Sequence, residues 1–441
     1  MTKTLKLGLI GLFLLQILVA SGFELAHDEA YYWLFSKNLD WGYFDHPPLV
    51  ALTIRLFSFL PHSELAVRFG FILMQFGTLF LLFRLIPQKF WNLATVLFFA
   101  FPLASFTGLL ALPDMPLLFM TAAYCVALKR YLEKEDTLSI LLMSFCIPVL
   151  LYAKYHGILV IFFTLVALPK LFMKKSFYVI TLLSILLFLP HVLWQYEHDF
   201  STLRYHFLER PSSSFSFKRC LDYIGTQIGL AGAFVGPVVW WIIFKTKTQN
   251  SFDRVMKCIS VGVVGFFLIS TFSKKFEANW TIFLTVPMIV LVVSSELWKK
   301  KIISSLLYAS FALIVLARLI FVMPENMVKA KRIKEFKGWA QWSEELKEKC
   351  GDKKLMANSY QIASKLSFYL NDEIQALNYR SRKNQFDYWR FDKNYPSENV
   401  CYITDKTEFG GLDVVSPEGK DFKLVTDQTI SHLYEVKSQL P

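Results

Sequence analysis

Long apolar runs, rather than alternation of polar and apolar positions, organise this chain. They fall at 5–22, 64–86, 91–110, 114–131, 137–153, 157–173, 177–195, 222–244, 256–273, 280–297 and 302–323. Each is close to or above the roughly 18 residues that cross a hydrocarbon core about 30 Å thick. In lipid only helices and closed barrels satisfy every backbone hydrogen bond, and a barrel would show short alternating strands. The pattern therefore predicts a polytopic α-helical membrane protein with about 11 transmembrane helices. After residue 323 the pattern changes to a charged, mixed one. There "RIKEFKGWAQWSEELKEKC" reads as helix, and "NVCYITD" and "KLVTDQTISHLYEV" read as strands. The expected organisation is a transmembrane catalytic domain over 1–323, with its first loop at 23–63, and a small C-terminal α/β domain over 324–441. No internal repeat or low-complexity segment is evident.

Charge orders these runs in the membrane. The 441 residues carry 47 Lys+Arg against 35 Asp+Glu, a net charge of +12. Alternate loops hold the excess: Lys3 and Lys6; Arg84 and Lys89; Lys129, Arg130 and Lys134; Lys170, Lys174 and Lys175; Lys245, Lys247, Arg254 and Lys257; Lys299, Lys300 and Lys301. The positive-inside rule makes these loops cytoplasmic, so the basic balance implies membrane topology and not nucleic-acid binding. The N-terminal "MTKTLKLGLIGLFLLQILVASGF" resembles a signal peptide but reads as an uncleaved first helix with a cytoplasmic N-terminus. The opposite set of loops then faces outward: 23–63, 111–116, 152–157, 196–221, 273–280 and the tail. Six cysteines form no CxxC pair. Cys350 and Cys401 both lie in the tail and could pair if it faces an oxidising compartment.

The chemically unusual residues collect in the outward set. "HDEAYYWLFSKNLDWGYFDHPPL", residues 27–49, packs Asp28, Glu29, Asp40 and Asp45 among aromatics. Asp28 is open to a plain reading as a helix cap. Adjacent helical residues diverge by about 100°, so one carboxylate of Asp28 and Glu29 faces a site while the other takes a cation or a backbone donor. Pro47 and Pro48 stiffen the chain behind Asp45 and His46. Asp114 in "LPDMPLLF" is again either a cap or a functional acid. Lys154 and His156 in "YAKYHG" run against the outward charge bias, as do Lys274 and Lys275 in "SKKFEANW", which also holds Glu277 and Asn279. Carboxylates for acid–base work and cations for an anion make one constellation. If the donor is a sugar on a lipid phosphate, the leaving group needs charge neutralisation, and a carboxylate must accept the proton of the attacking hydroxyl. In-line attack inverts the anomeric centre.

These motifs, with the tail runs "NSYQIASKLSFYL" and "NYRSRKNQFDYW", resemble bacterial membrane glycosyltransferases of the GT-C fold. That group includes the protein mannosyltransferases and the aminoarabinose transferase acting on lipid A. The resemblance covers most of the chain. It implies Asp28 as the principal catalytic acid of the first outward loop and Asp114 as a second. It implies a polyprenyl-phosphate sugar as donor, with Lys154, His46, Lys274 and Lys275 as candidates for its phosphate. Tyr360, Gln361, Arg380 and Gln385 of the tail would close over the site. The chain departs from the aminoarabinose transferase in having His46 before two prolines where that enzyme has a lysine. It shows no lumenal-loop domain of the protein mannosyltransferase kind, which favours a lipid acceptor.

The expectation is an inverting glycosyltransferase of the bacterial inner membrane, with its tail periplasmic, acting on a lipid such as lipid A or lipopolysaccharide core. One rival is a protein O-mannosyltransferase. Another is a transporter or flippase of lipid-linked sugars, though transporters gather ionisable groups near the bilayer midplane. A divalent metal is left open, since Asp45, His46 and the other acids could ligate one but lack diagnostic spacing.

Overall fold

The computed structural model describes residues 1–204, 214–295, 297–323, 331–393 and 398–438. The expected boundary at 324 and the middle of the loop 196–221 lie outside the described residues. α1 (Lys3–Ala20) is followed by two short loop helices, α2 (His27–Lys37) and α3 (Leu49–Leu56). Then come α4 (Glu64–Leu85), α5 (Trp91–Ala100), α6 (Pro102–Phe106), α7 (Asp114–Glu133) and α8 (Thr137–Ala153). α9 (Gly157–Ala167), α10 (Lys175–Glu197), α11 (Ser201–Arg204), α12 (Phe217–Leu230) and α13 (Gly236–Lys245) follow. α14 (Ser251–Ser270), α15 (Thr285–Ser295) and α16 (Lys301–Ala317) complete the apolar series.

All eleven apolar runs are helical over most of their length, so the molecule is the polytopic helical membrane protein that the pattern predicts. Among the described residues, five helices are long and apolar enough to cross a membrane on their own, or six if one bent pair is a single span. That pair is the run 91–110, which bends by 87°. Pro102 cannot donate a backbone hydrogen bond, and it holds Phe101 extended at φ −80°, ψ 114°. The bend strands carbonyls, and buried Gln75 answers two of them: its Nε2 donates to Ala104 O at 2.6 Å and Ser105 O at 3.1 Å. The run 222–244 is also interrupted, by Gly232 in a left-handed conformation at φ +120°. α10 shows the lipid-facing extreme, with Leu182, Ile185 and Leu186 exposed along one side.

Contacts divide the chain into two compact units. The first comprises Met1–Leu18, His46–Val50 and Arg68–Leu319. Within it the fully buried Arg318 guanidinium bonds Gln16 Oε1 at 2.7 Å and Ser105 Oγ, and lies over the Phe99 ring at 5.0 Å. These contacts tie α1, α6 and the end of α16 together without exposing a charge to lipid.

The second unit comprises Val19–Asp45, Ala51–Val67 and Ile320–Pro441, so the first loop and the tail form one body. Its sheet has the order β2-β1-β3-β5-β4. The strands are β1 (Lys354–Ala357), β2 (Gln375–Ala376), β3 (Asn399–Thr404), β4 (Leu412–Val415) and β5 (Asp421–Thr429). β1 runs parallel to β2 and β3, and β5 is antiparallel to β3 and β4. α17 (Trp339–Cys350), α18 (Tyr360–Tyr369), α19 (Phe386–Trp389) and α20 (Ile430–Ser438) accompany it. The apolar core gathers Met356, Leu377, Val400, Tyr402, Val425, Ile430 and Leu433. "KLVTDQTISHLYEV" is not one strand: β5 ends at Thr429, whose hydroxyl accepts the His432 amide at 3.2 Å, and α20 begins. Ile430 and Leu433 then sit one helical turn apart in the core, a period that a strand could not bury together. The expected helix over 332–350 breaks at Gly338, φ +81°, into a 3-10 turn at Lys331–Phe336 and then α17.

Cys350 and Cys401 are joined by a disulfide that fastens the end of α17 to β3, with Cα atoms 5.7 Å apart and both residues buried. It closes a loop of 51 residues, for which chain-entropy reasoning gives about 4 kcal/mol of stabilisation. Replacing both cysteines by serine is expected to make the tail cleavable by protease at temperatures where the oxidised protein resists. Equal resistance of the two forms would contradict it.

Candidate functional site

Several of the sequence-predicted residues fall into two clusters, one in each unit. In the second unit Ala26, not Asp28, is the N-cap of α2, and Asp28 and Glu29 occupy its first turn. Their divergence is as the 100° step requires. Glu29 is fully buried, and its Oε2 accepts the Ala26 amide at 2.8 Å. Asp28 points away to a solvent-accessible place that protein nonetheless surrounds on most sides. Its Oδ1 accepts the Tyr360 hydroxyl at 3.3 Å.

That setting raises the proton affinity of Asp28. Burial is the largest cause, followed by the negative charges of Asp45 and Glu335; His27 and the Tyr360 hydrogen bond oppose them. Tyr360 is itself pushed up, by burial first and then by Asp28 and Asp45, so it remains a phenol able to donate. Asp45 lies on the bend before the two prolines. Tyr31 OH donates to its Oδ2 at 2.9 Å, and Arg382 Nη1 meets Oδ1 at 2.8 Å. The Tyr31 oxygen accepts the Gln385 amide at 2.7 Å, and Gln385 Oε1 accepts the Phe44 amide at 2.8 Å. Gln385 thus ties the tail to the first loop at two points. Aromatic rings line the same region: Tyr31 stands 4.8 Å from Tyr360 and 5.9 Å from Phe386, with Trp389 beyond at 6.3 Å. Gln361 is half-buried on the first turn of α18 beside Tyr360.

Arg380 does not join this group. It pairs with Glu408 at 2.8 Å and lies against Tyr379. Arg382, two residues later, is the arginine that reaches Asp45. Both arginines lie in "NYRSRKNQFDYW", but the loop conformation that turns one in and the other out is not written in residue type. His27, Tyr31 and Glu335 also belong to this region. The first two lay inside the singled-out motif, and Glu335 had no signal of its own.

In the first unit three motifs converge. Asp114 is the first residue of α7, and Pro113 occupies the N-cap position before it. Lys154 Nζ donates to its Oδ1 at 2.8 Å and Asn279 Nδ2 to its Oδ2 at 3.0 Å. The Asp114 and Lys154 side chains are only 3% and 6% exposed, so this is a buried, hydrogen-bonded ion pair. His156, at the N-cap of α9, packs 5.3 Å from Trp280 and 5.7 Å from Phe267. "LPDMP", "AKYHG" and "FEANW" are therefore one cluster. Lys274 is half-buried, and Lys275 and Glu277 are exposed, on the turn after α14; they take no part in the Asp114 bonds. His46 is half-buried on the bend that follows Asp45. No group of three or more His, Cys, Asp or Glu that could hold a metal ion occurs among the described residues. The acids open to that role have other partners: Asp45 has Arg382 and Tyr31, and Glu29 has the Ala26 amide.

Within the second unit, an accessible carboxylate of raised proton affinity beside aromatic rings suits chemistry on a sugar. Residues 45–194 match the family model of dolichyl-phosphate-mannose-protein mannosyltransferases. The stretch contains Asp45, Asp114 and Lys154. The fold of the chain is that of ArnT from Cupriavidus metallidurans. The apo crystal structure of that protein is 10% identical, with a TM-score of 0.68 over 97% of this chain and 99% of the other. Its structure bound to undecaprenyl phosphate is likewise 10% identical, with a TM-score of 0.68 over 95% and 97%. No curated protein sequence matches this one.

The buried pair gives a direct expectation. Asp114→Ala leaves Lys154 enclosed without its counter-charge and is expected to cost about 3–5 kcal/mol. Combining Asp114→Asn with Lys154→Met is expected to recover most of that loss, as read by thermal unfolding of the purified protein. Additive losses in the double variant would contradict the pairing.

Proposed function

We propose that the chain transfers a sugar from a polyprenyl-phosphate donor to a lipid hydroxyl, with inversion, at the outer face of a bacterial inner membrane. The observation that carries this reading is the Asp28 carboxylate, accessible, raised in proton affinity, and hydrogen-bonded to Tyr360. The lysine- and arginine-rich alternate loops support an outward first loop and tail, and the buried Cys350–Cys401 disulfide agrees with an oxidising side.

In this reading the acceptor O–H approaches Asp28, which takes the proton as the oxygen attacks the anomeric carbon. The bond from that carbon to the phosphate oxygen breaks on the opposite face, and polyprenyl phosphate leaves with the electron pair. The tyrosines and Trp389 offer faces for the sugar. Cations offset the growing charge on the phosphate. Arg382 suits this role, since its guanidinium is half exposed and oriented by Asp45. His46, Lys274 and Lys275 remain candidates. Lys154 is already paired with Asp114 inside the first unit. Undecaprenyl phosphate, the lipid bound in the ArnT structure, is the first donor carrier to try. A lipid A or lipopolysaccharide-core acceptor follows from the sequence resemblance, while the description of the matched family favours a second reading, in which the acceptor is a protein.

Mass spectrometry of lipid A and of periplasmic glycopeptides, with and without the gene, separates the two. A lost lipid A increment supports the proposal, and lost glycopeptides with unchanged lipid A overturn its acceptor. The pH profile tests the base. A carboxylate base is active above its pKa and fails as pH falls through it, so the acid limb is expected above the ordinary aspartate value of about 4. Asp45→Asn removes a charge that raises Asp28, and the limb is expected to move to lower pH. A shift to higher pH would contradict the electrostatic coupling.

A further inference from the structure

A groove in the second unit lies away from Asp28. Its volume is about 290 Å³, and it is walled by the end of α2, the end of α3 with the turn after it, and the first turn of α4. That is far above the roughly 10–15 Å³ that holds one water. Asp28 stands on the first turn of α2 and Lys37 is its last residue, so a rise of 1.5 Å per residue puts about 14 Å between them along the axis. Buried Trp33 forms one wall, its ring 5.5 Å from His62 and 5.2 Å from Phe368 of α18. His62 Nε2 donates to the Phe368 carbonyl at 3.0 Å, and the Lys37 ammonium lies over the Trp33 ring at 4.9 Å. These contacts give the groove a defined shape.

The groove carries charge of one sign. Lys37 and Arg55 line it, with Ser58 and His62 as further polar side chains, and the lining holds no Asp or Glu. Among the described residues neither Lys37 nor Arg55 forms an ion pair. Two cations facing one groove without a counter-charge favour an anion there. The border of the groove is apolar. Thr53 and Ile54 of α3 are buried, whereas Leu52 and Leu56, one turn apart beside Arg55, are 42% and 60% exposed. Phe59, on the turn after α3, is 77% exposed. Leucines flanking an arginine on an exposed helix face suit a bilayer interface, with the apolar side chains among acyl chains and the cation at the level of the phosphates. A free phosphate ion has no use for such a border.

We propose that this groove binds the headgroup of an anionic bilayer phospholipid, with Arg55 and Lys37 on its phosphate and Leu52, Leu56 and Phe59 beside its acyl chains. The occupant is a lipid of the surrounding bilayer and not the carrier of a transferred sugar, because the groove sits at the opposite end of α2 from the Asp28 carboxylate. The lipid holds the end of α2 and α3 to the membrane surface. The inference stands whether or not Asp28 is the base.

The test is photolabelling of the full-length protein, reconstituted in phosphatidylcholine bilayers with a trace of phosphatidylglycerol carrying a photoactivatable group near its phosphate. Mass spectrometry maps the labelled residues, and label on the basic loop at Lys299–Lys301 serves as the internal reference. Label is expected at 33–37 and 54–63. Arg55→Gln and Lys37→Gln are each expected to lower it there by about fivefold, with the reference unchanged. Arg55→Lys, which keeps the charge, is expected to retain most of it, and it stands in if the glutamine variant fails to fold. Phosphatidylcholine with the same group is expected to label these residues several-fold less. Unlabelled phosphatidylglycerol is expected to compete, and inorganic phosphate is not. Equal labelling by the two lipids, or wild-type labelling of both glutamine variants, overturns the inference. Displacement by inorganic phosphate would make the groove a site for a free anion. Displacement by polyprenyl phosphate at lower concentration than by phosphatidylglycerol would make it a substrate site. Either result overturns the inference as well.

Discussion

The first turn of α2 has to be held still, and the tail holds it. A helix start leaves four amides without intrahelical partners, and the strand entering this one is gripped residue by residue. Glu24 accepts the Trp339 and Ala340 amides at 2.6 and 3.1 Å, which anchors the entering chain to the start of α17. The Leu25 amide donates to the Tyr369 hydroxyl at 2.9 Å, and the Leu25 carbonyl accepts from Lys365. Ala26 is answered by Glu29 and His27 by Glu335. Lys365 is wholly buried, and its ammonium is met by the Leu25 and Glu335 carbonyls and by the Trp339 ring 4.8 Å away. Enclosing a lysine is costly unless its donors are met, and here meeting them orients the residues on either side of Asp28. The position of the carboxylate is thus a property of the tail as much as of the first loop.

The two clusters show how environment divides work between aspartates. Asp114 has a lysine and an asparagine on its two oxygens and sits inside the helical unit as a neutralised pair. Asp28 has a phenol on one oxygen and two further acids around it, and no ion pair is seen for it among the described residues. The first arrangement stabilises charge and fixes three segments of chain. The second makes a proton welcome. Asp45 is a third arrangement, largely enclosed and held by Arg382 and Tyr31.

Much of this was legible in the residues. Runs of about 20 apolar residues can do little in lipid but form helices, and the structure has them at the expected places. Asp114, Lys154 and Asn279 were singled out separately, and the fold makes them one hydrogen-bonded group. The divergence of Asp28 and Glu29 followed from helix geometry alone. What was hidden depends on contacts across long stretches of chain. Arg382 meets Asp45 from 337 residues away and Glu418 meets His27 from 391, and neither carries a local signal of its partner. The sequence singles out Arg380 and not Arg382, because residue type does not say which way a loop turns. The helix at Ile430–Ser438 looked like a strand because isoleucine, leucine and tyrosine at short spacing serve either element.

The central claim is that Asp28 removes the acceptor proton and does not bind the donor. A single measurement separates those roles: donor affinity and transfer rate, determined side by side for Asp28→Asn in membranes containing a polyprenyl-phosphate sugar. The account predicts donor binding close to wild type and transfer slower by at least about 100-fold. Transfer near the wild-type rate in the folded variant would contradict it.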